Sequence, residues 1–237
     1  MSVYLSIIIP AYNEEKRIGP TLSNVCGFFK TKNYEYEVIL VDDGSSDRTV
    51  SEAEDSELAN TGKLKIVKNS VNKGKGFSVK NGILKSLGEY VLFSDADLST
   101  PIEEADKLFD HIGKGYDIVI GSRSIAGSNV KVRQPFYREK MGRIFNYFIN
   151  SLLMGGFIDT QCGFKLFKGS VARQIGKELT INGFCFDVEM LYLARKEGYK
   201  IAEVGITWEN SPQSKVRVFS SSLSMFIDLL KIKRRHG

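Results

Sequence analysis

From residue 5 to residue 122 the chain alternates short apolar runs with stretches in which apolar residues recur every three or four positions. The runs are LSIII (5–9), YEVILV (36–41), KLKIVK (63–68), EYVLFSD (89–95) and DIVIGS (117–122). Short apolar runs bounded by polar loops predict strands buried on both faces. The intervening segments 16–30, 47–58, 76–87 and 103–112 predict helices, the second capped by Ser46 or Asp47. This βαβα order predicts an α/β fold: a mostly parallel, twisted sheet covered by helices on both faces.

The second half is less regular. Helices are predicted over 137–153 and 186–197, the latter with apolar residues at 186, 188, 190, 191, 193 and 194. CGFKLFK (162–168) and KIAEVGITW (200–208) predict strands, and FSSSLSMFIDLLKIKRR (219–235) is amphipathic. A soft boundary near Ser99 divides the halves, giving 1–98, 99–210 and a C-terminal segment 211–237 within one continuous domain.

Composition narrows the class. A chain of 237 residues with 42% hydrophobic and 26% charged residues can bury a sizeable core. The net charge of +5 suits an anionic ligand or a membrane surface without demanding nucleic acid. Cys26, Cys162 and Cys185 form no CxxC pair, which predicts neither zinc nor a disulfide framework and fits a reducing, cytoplasmic compartment. Two histidines, His111 and His236, cannot build a histidine-rich metal site. The start MSVYLSIIIP does not read as a secretion signal, and no run reaches the roughly 18 apolar residues of a bilayer span. The expectation is a soluble protein or one lying on a membrane. Two segments suit an interfacial role, 144–158 and SMFIDLLKIKRR (224–235), although ordinary core-facing helices share their pattern.

Ligands of open α/β sheets bind beyond the carboxyl ends of the strands. Four polar clusters stand there: PAYNEE (10–15), DDGSSD (42–47), NKGKG (72–76) and DAD (95–97). On extended backbone, Asp95 and Asp97 point to one side, with small Ala96 between them. Together they can ligate a hard cation, Mg²⁺ or Mn²⁺, of the kind that bridges carboxylates to phosphates. The same spacing also describes a solvated Asp95 and an Asp97 capping a turn. Pro10 ends the first strand, Tyr12 could pack on a base, and Glu14 and Asp42 could accept hydrogen bonds from a base or ribose. Helix entry accounts for these acids as well. Lys73 can face phosphate or simply belong to a flexible loop. No G-x-x-x-x-G-K-[ST] and no G-x-G-x-x-G is present, which argues against a P-loop enzyme and a dinucleotide oxidoreductase.

PAYNEE, VDDGSSD, NKGKG, DADLS and GSR (121–123), in this order, resemble the GT-A-fold glycosyltransferase family 2. DTQCGFKLF (159–167), FDVEMLYLA (186–194) and EVGITWENSPQSKVR (203–217) are similar to dolichyl-phosphate β-glucosyltransferases and their polyprenyl-phosphate mannose synthase relatives. The resemblance implies a GT-A, Rossmann-like three-layer sandwich with a nucleotide-sugar donor, UDP-glucose favoured, and a lipid phosphate acceptor. It implies inverting, metal-dependent transfer at the cytoplasmic face of a membrane. Pro10, Ala11, Tyr12, Glu14 and Asp42 or Asp43, with Lys73, Asp95 and Ala96, would bind the donor. Asp95 and Asp97 would hold the metal. Arg123 would contact a donor or acceptor phosphate, and Lys215 and Arg217 would close over the diphosphate. Arg138, with Arg143, would orient the acceptor phosphate, and Asp187 and Glu189 would touch sugar hydroxyls or acceptor. Ser99 stands where mannose-synthase relatives often carry a metal-ligating Gln. The phosphate acceptor is already ionised, so no strong general base is required. The competing expectations are a GDP-mannose-dependent synthase, a saccharide acceptor, a nucleotide-sugar-binding protein without turnover, and a nucleotidyltransferase. The last lacks its usual basic, Gly-rich first loop. Cys162, Cys185, Phe164, Phe167, Phe184 and Phe186 read as packing residues.

Overall fold

The computed structural model describes residues 2–132, 136–209 and 218–237, and the side chains of all of these except 136–139, 143 and 218–223. In chain order the elements are β1 (Leu5–Ala11), α1 (Ile18–Phe29), β2 (Tyr36–Asp42), α2 (Thr49–Glu54), α3 (Glu57–Asn60), β3 (Leu64–Lys68), α4 (Lys75–Lys85) and β4 (Tyr90–Ser94). A 3₁₀ turn (Ile102–Glu104) then leads into α5 (Ala105–Gly113), β5 (Ile118–Ser122), β6 (Asn129–Val132) and α6 (Phe136–Leu152). The chain continues through β7 (Phe164–Lys168), α7 (Gly169–Glu178), α8 (Phe186–Lys196), β8 (Ile201–Gly205), β9 (Thr207–Glu209) and α9 (Val218–His236).

Seven strands form one sheet in the order β3-β2-β1-β4-β7-β5-β8, and β6 pairs with β9 in a small second sheet. All neighbours in the large sheet are parallel except β7, which runs antiparallel between β4 and β5. The sheet is therefore continuous across Ser99. Alternate residues of each strand serve opposite faces. Leu5, Ile7 and Ile9 of β1 pack in one core with Leu22, Val25 and Phe29 of α1 and Leu108 of α5. Ile8 joins the other core, with Val79 and Ile83 of α4, Ile175 of α7, Phe186 and Leu191 of α8, and Leu229 and Ile232 of α9. Two cores on two faces make the three layers.

Several expectations need correction. The helix expected over 47–58 is broken into α2 and α3, because Ser56 caps a new turn by accepting a hydrogen bond from Ala59 N. Asp47 does serve the entry to α2, its Oδ1 accepting from Thr49 N at 3.0 Å. The strand expected over 200–208 divides between the two sheets at Ile206. Neither β6 nor α7 was legible as an element. β1 does not end at Pro10 but continues to Ala11, in register with Asp42. Phe164, Phe167 and Phe186 are core as expected, but Phe184 is 39% exposed.

Candidate active site

The four polar clusters do stand at the carboxyl ends of β1 to β4, and backbone chemistry ties them together. Asp43 N donates to Ala11 O at 2.8 Å. Asn13 N donates to Ser45 Oγ, Ser46 N to Asn13 Oδ1, and Glu14 N to Thr49 Oγ1, at 2.8, 2.8 and 2.6 Å. Asn13 sits at φ 55°, a conformation that Asn tolerates better than most side chains. Pro10 and Ala11 are buried in the sheet, while Tyr12 is 41% exposed at the rim.

Adjacent Asp42 and Asp43 have different tasks. Asp43 holds the next loop: its carboxylate accepts from Asn69 Nδ2 at 2.9 Å, Lys73 N at 3.0 Å and Gly74 N at 2.8 Å. Among the described residues, Asp42 accepts only long bonds from Ser45 N, 3.3 Å to each oxygen. Of the two, Asp42 has the spare acceptor capacity for a ligand. Lys73 lies over the Phe77 ring, 4.6 Å from its centroid. Gly74 has φ +102°, and a β-carbon there would collide with Asn182 O, so this turn needs glycine.

That turn starts α4 at Lys75, and Lys75 is the basic residue that meets the acids. Its Nζ lies 2.6 Å from Asp95 Oδ1. The contact is a close charge pair, and among the described residues no well-aligned hydrogen bond reaches this buried oxygen. Burial alone would lower the Lys75 pKa, but Asp95, Asp187 and Asp97 hold the ammonium above its ordinary value. Asp97 accepts from Ser99 N at 3.0 Å and lies 3.7 Å from Arg17 Nη1. Arg17 in turn grips Glu14, Nε to Oε2 at 2.5 Å and Nη2 to Oε1 at 2.6 Å. Ala96 O accepts from Thr21 Oγ1 at 2.7 Å, and Leu98 is forced to φ 43°. The turn bearing the acid pair is thus fixed by α1 on one side and strained on the other.

Behind Asp95 stands Gly163, whose carbonyl accepts from Asp95 N at 3.1 Å. A β-carbon at 163 would lie 2.5 Å from Asp95 Oδ1 and still closer to the other carboxylate atoms. Gly163→Ala should therefore turn the Asp95 side chain away. The expected result is a loss of turnover of about 100-fold, from misplacement of one charged group. Overpacking should cost only about 1–3 kcal/mol in urea unfolding. Unchanged turnover would remove Gly163 from the site.

Beneath the rim lies a second pair. Lys165 is fully buried, and its Nζ donates to Asp187 Oδ1 and to Cys162 O, each at 2.5 Å. Burial pushes the Asp187 carboxyl above its ordinary pKa, a tendency opposed by Lys165 and Lys75. Glu189, two residues on, is wholly buried and spent on the fold. It accepts from Thr180 N, Thr180 Oγ1 and Ile181 N, and lies 2.8 Å from His236 Nε2. The expectation that Glu189 touches a sugar or acceptor is corrected by that engagement.

Arg123 is clasped by Asp159. Arg123 N and Nε donate to Oδ2 at 3.0 and 2.7 Å, and Nη2 donates to Oδ1 at 2.8 Å. The guanidinium also lies 5.4 Å from the Trp208 ring. Glu203 holds the loop by accepting from Ile158 N and Asp159 N at 2.9 and 2.8 Å. Burial would raise the Asp159 pKa, but Arg123 lowers it below the ordinary 3.8. Folded Asp159 therefore binds its proton less tightly than the unfolded chain does. The stability this supplies is complete above about 3.8 and is lost as pH falls through the lower folded value. Asp159→Asn should flatten the acid limb of a stability–pH profile measured by urea unfolding. An unaltered slope below pH 4 would contradict this.

Cys26, Cys162 and Cys185 are free and buried, and burial raises the Cys162 thiol to about 12, so none is poised as a nucleophile. Arg138 and Arg143 lie on α6 with side chains outside the described residues, and Lys215 and Arg217 lie outside the described residues altogether. Glu209 N, just before the latter segment, donates to Ser99 O at 2.8 Å. Among the described residues no group of three or more His, Cys, Asp or Glu is placed to hold a metal. Sequence reasoning missed Lys75, Arg17, Asp159, Gly163 and Lys165. All but Arg17 stood inside motifs already singled out.

A family profile described as Glycosyl transferase family 2 matches residues 6–176. The chain belongs to glycosyltransferase family 2. This family 2 glycosyltransferase is 38% identical over 246 residues to a dolichyl-phosphate β-glucosyltransferase of Dictyostelium discoideum, covering 99% of this chain and 75% of that one. It is 32% identical to the Homo sapiens protein of the same name, covering 98% and 75% of the two chains. The Saccharomyces cerevisiae protein of that name is 33% identical, with 98% and 74% covered. Among solved structures, Mycobacterium tuberculosis glucosyl-3-phosphoglycerate synthase superposes with a TM-score of 0.72 at 17% identity, covering 99% of this glycosyltransferase and 82% of that chain. The same synthase in complex with Mn²⁺, UDP-glucose and phosphoglyceric acid superposes with a TM-score of 0.71, covering 99% and 81% of the two chains. The GT-A architecture of the family 2 glycosyltransferase follows from these likenesses.

Proposed function

We propose that this enzyme moves glucose from UDP-glucose to a dolichyl or polyprenyl phosphate at the cytoplasmic face of a membrane, with inversion and with the help of Mg²⁺ or Mn²⁺. The observation that carries the reading is the similarity, over 98–99% of this chain, to proteins named dolichyl-phosphate β-glucosyltransferase. Asp95 and Asp97 are the residues to hold the metal. Their chemistry fits: the acids are oxygen donors on one turn, and among the described residues a buried Asp95 oxygen has no well-aligned donor. Mg²⁺ and Mn²⁺ need few protein ligands when phosphates supply the rest. Bound there, the ion would place positive charge against the donor diphosphate.

The chain's own groups then have clear duties. Tyr12 and Asp42 would bind the nucleotide, together with Glu14, which Arg17 holds in position. Lys75 and Arg17 add positive charge beside the acids, where the departing diphosphate gathers negative charge. Arg123, aimed by Asp159, is the candidate for a phosphate oxygen, and its planar fork suits that partner. The acceptor phosphate attacks C1 of the sugar as the C1–O bond to UDP breaks, and no protein base is needed. We assign residues 1–98 mainly to the donor and 99–210 mainly to the acceptor.

An apolar face supports access to lipid. Ile144, Tyr147 and Phe148 of α6, Ile158 beyond it, and Ile227 and Leu230 of α9 are exposed. Phe148 and Phe226 stack edge-on at 5.4 Å, joining the two helices. Lys233, Arg234 and Arg235 follow on the last turn of α9. Exposed apolar residues next to basic ones suit an anionic lipid surface. No helix of the described residues is long and apolar enough to cross a membrane. The test is a donor panel of UDP-glucose, UDP-N-acetylglucosamine, UDP-galactose and GDP-mannose with a polyprenyl phosphate in vesicles, with and without Mn²⁺ or Mg²⁺. Labelled glucose should enter chloroform-soluble lipid only with UDP-glucose and metal. Transfer to carbohydrate alone, or turnover in excess chelator, would overturn the reading.

A further inference from the structure

Asp95 and the other acids of the rim are assigned above, but the placement of Lys75 calls for its own account. A cation at the first position of a helix opposes the helix dipole. Here it stands at the start of α4, with its ammonium on Asp95 Oδ1 at 2.6 Å. The backbone around it is tied down: Gly74 and Gly76 both abut the 181–183 segment, and Gly76 N donates to Asn182 O at 2.7 Å. The side chain can move, since it is 25% exposed on a four-carbon stem. The nearby Asp187 already holds Lys165 at 2.5 Å, and that pair is sealed from solvent. The two ion pairs therefore differ in kind. One is locked in the core, and the other is partly open and made by an acid that the reading above gives to a metal.

We propose that Lys75 is a displaceable counter-ion: it occupies Asp95 in the donor-free enzyme, yields that carboxylate to the divalent ion, and carries its ammonium to the donor diphosphate. This rests on Asp95 being a metal ligand. No bond is made or broken; one ammonium exchanges a carboxylate for a phosphate partner. A dication arriving at Asp95 repels the ammonium, and the diphosphate supplies its new partner. Metal and nucleotide then bind cooperatively, each favouring the other by the same factor.

The test is Mn²⁺ binding, read from the paramagnetic resonance of free Mn²⁺, to the wild type, Lys75→Met and Lys75→Arg, each with and without UDP. Without UDP, Lys75→Met should bind Mn²⁺ at least about fivefold tighter than wild type, because the competing charge is gone. The enhancement of Mn²⁺ affinity by UDP should shrink by a similar factor. Lys75→Arg, which keeps the charge, should stay near wild type in the absence of UDP. Thermal unfolding of each variant checks the fold, and Lys75→Gln replaces Lys75→Met should the latter unfold. Equal or weaker Mn²⁺ binding by the charge-free variant would overturn the proposal while leaving the metal site standing. Wild type taking up no Mn²⁺ even with UDP would remove the metal site and this proposal together.

Discussion

Asp97→Ala should lower glucosyl transfer by about a thousandfold or more, since on the proposed reading a metal ligand and a pre-aligned charge are lost at once. The fold should barely notice. Asp97 is partly exposed, and among the described residues its structural contribution is one hydrogen bond from Ser99 N at 3.0 Å and a 3.7 Å approach to Arg17. Losing such a bond costs about 1 kcal/mol, which in a chain of this size moves the melting temperature by roughly 2–4 °C. Transfer into lipid and thermal unfolding, measured on the same preparation, separate the two roles. Turnover within tenfold of wild type would show that Asp97 does no chemistry. A collapse of the melting temperature would show that the acid is a structural cap, as its spacing alone also allows.

Lys165→Met should have the opposite signature. It removes the ammonium from a fully buried pair and leaves Asp187, 3% exposed, without its contacting counter-charge, Lys75 alone still favouring the ionised carboxylate. Breaking such a pair costs about 3–5 kcal/mol, or on the order of 10 °C in melting temperature. Burial already raises the Asp187 pKa, and without Lys165 it rises further. A carboxyl whose folded pKa is raised loses stability as pH rises, so the deficit should narrow on acidification as Asp187 takes up its proton. The double variant Lys165→Met, Asp187→Leu should recover most of the stability, because apolar groups replace a buried pair well. Its turnover then decides the role of Asp187. Recovery would mean that the acid only balances Lys165; continued loss would support contact with the reactants. A single variant as stable as wild type would refute the buried pair.

The rim of the site was legible because strand ends are. Apolar runs located β1 to β5, and a polar cluster directly after such a run must stand at the sheet's edge; PAYNEE, DDGSSD and DAD do so. What escaped was set by contacts distant in sequence. Lys73 and Lys75 look alike in NKGKG, and only the Gly74 turn against Asn182 decides that Lys75 begins the helix and meets Asp95. Asp42 and Asp43 are likewise equivalent on paper until Asn69, Lys73 and Gly74 claim the second. Lys165 sits among apolar neighbours in a strand, where a lysine would ordinarily mark a solvated face. Its partner is 22 residues away on α8. Gly163 gave no signal because its importance lies in what an absent β-carbon leaves to Asp95. The break at Ile206 was hidden because both parts of 200–208 are extended, and only their pairing partners differ.

The reversed β7 also bears on how the chain can be assembled. β4 pairs with β7 from Tyr90↔Lys168 to Ser94↔Phe164, so one side of β4 stays bare until residues some seventy positions later arrive. During synthesis, a nascent chain that has emerged only as far as α5 would present an open hydrogen-bonding rim flanked by Val91 and Phe93. Such a rim invites pairing with another chain. The first half of the chain should therefore be insoluble when expressed alone, and Asp95 N finds its acceptor, Gly163 O, only when β7 arrives.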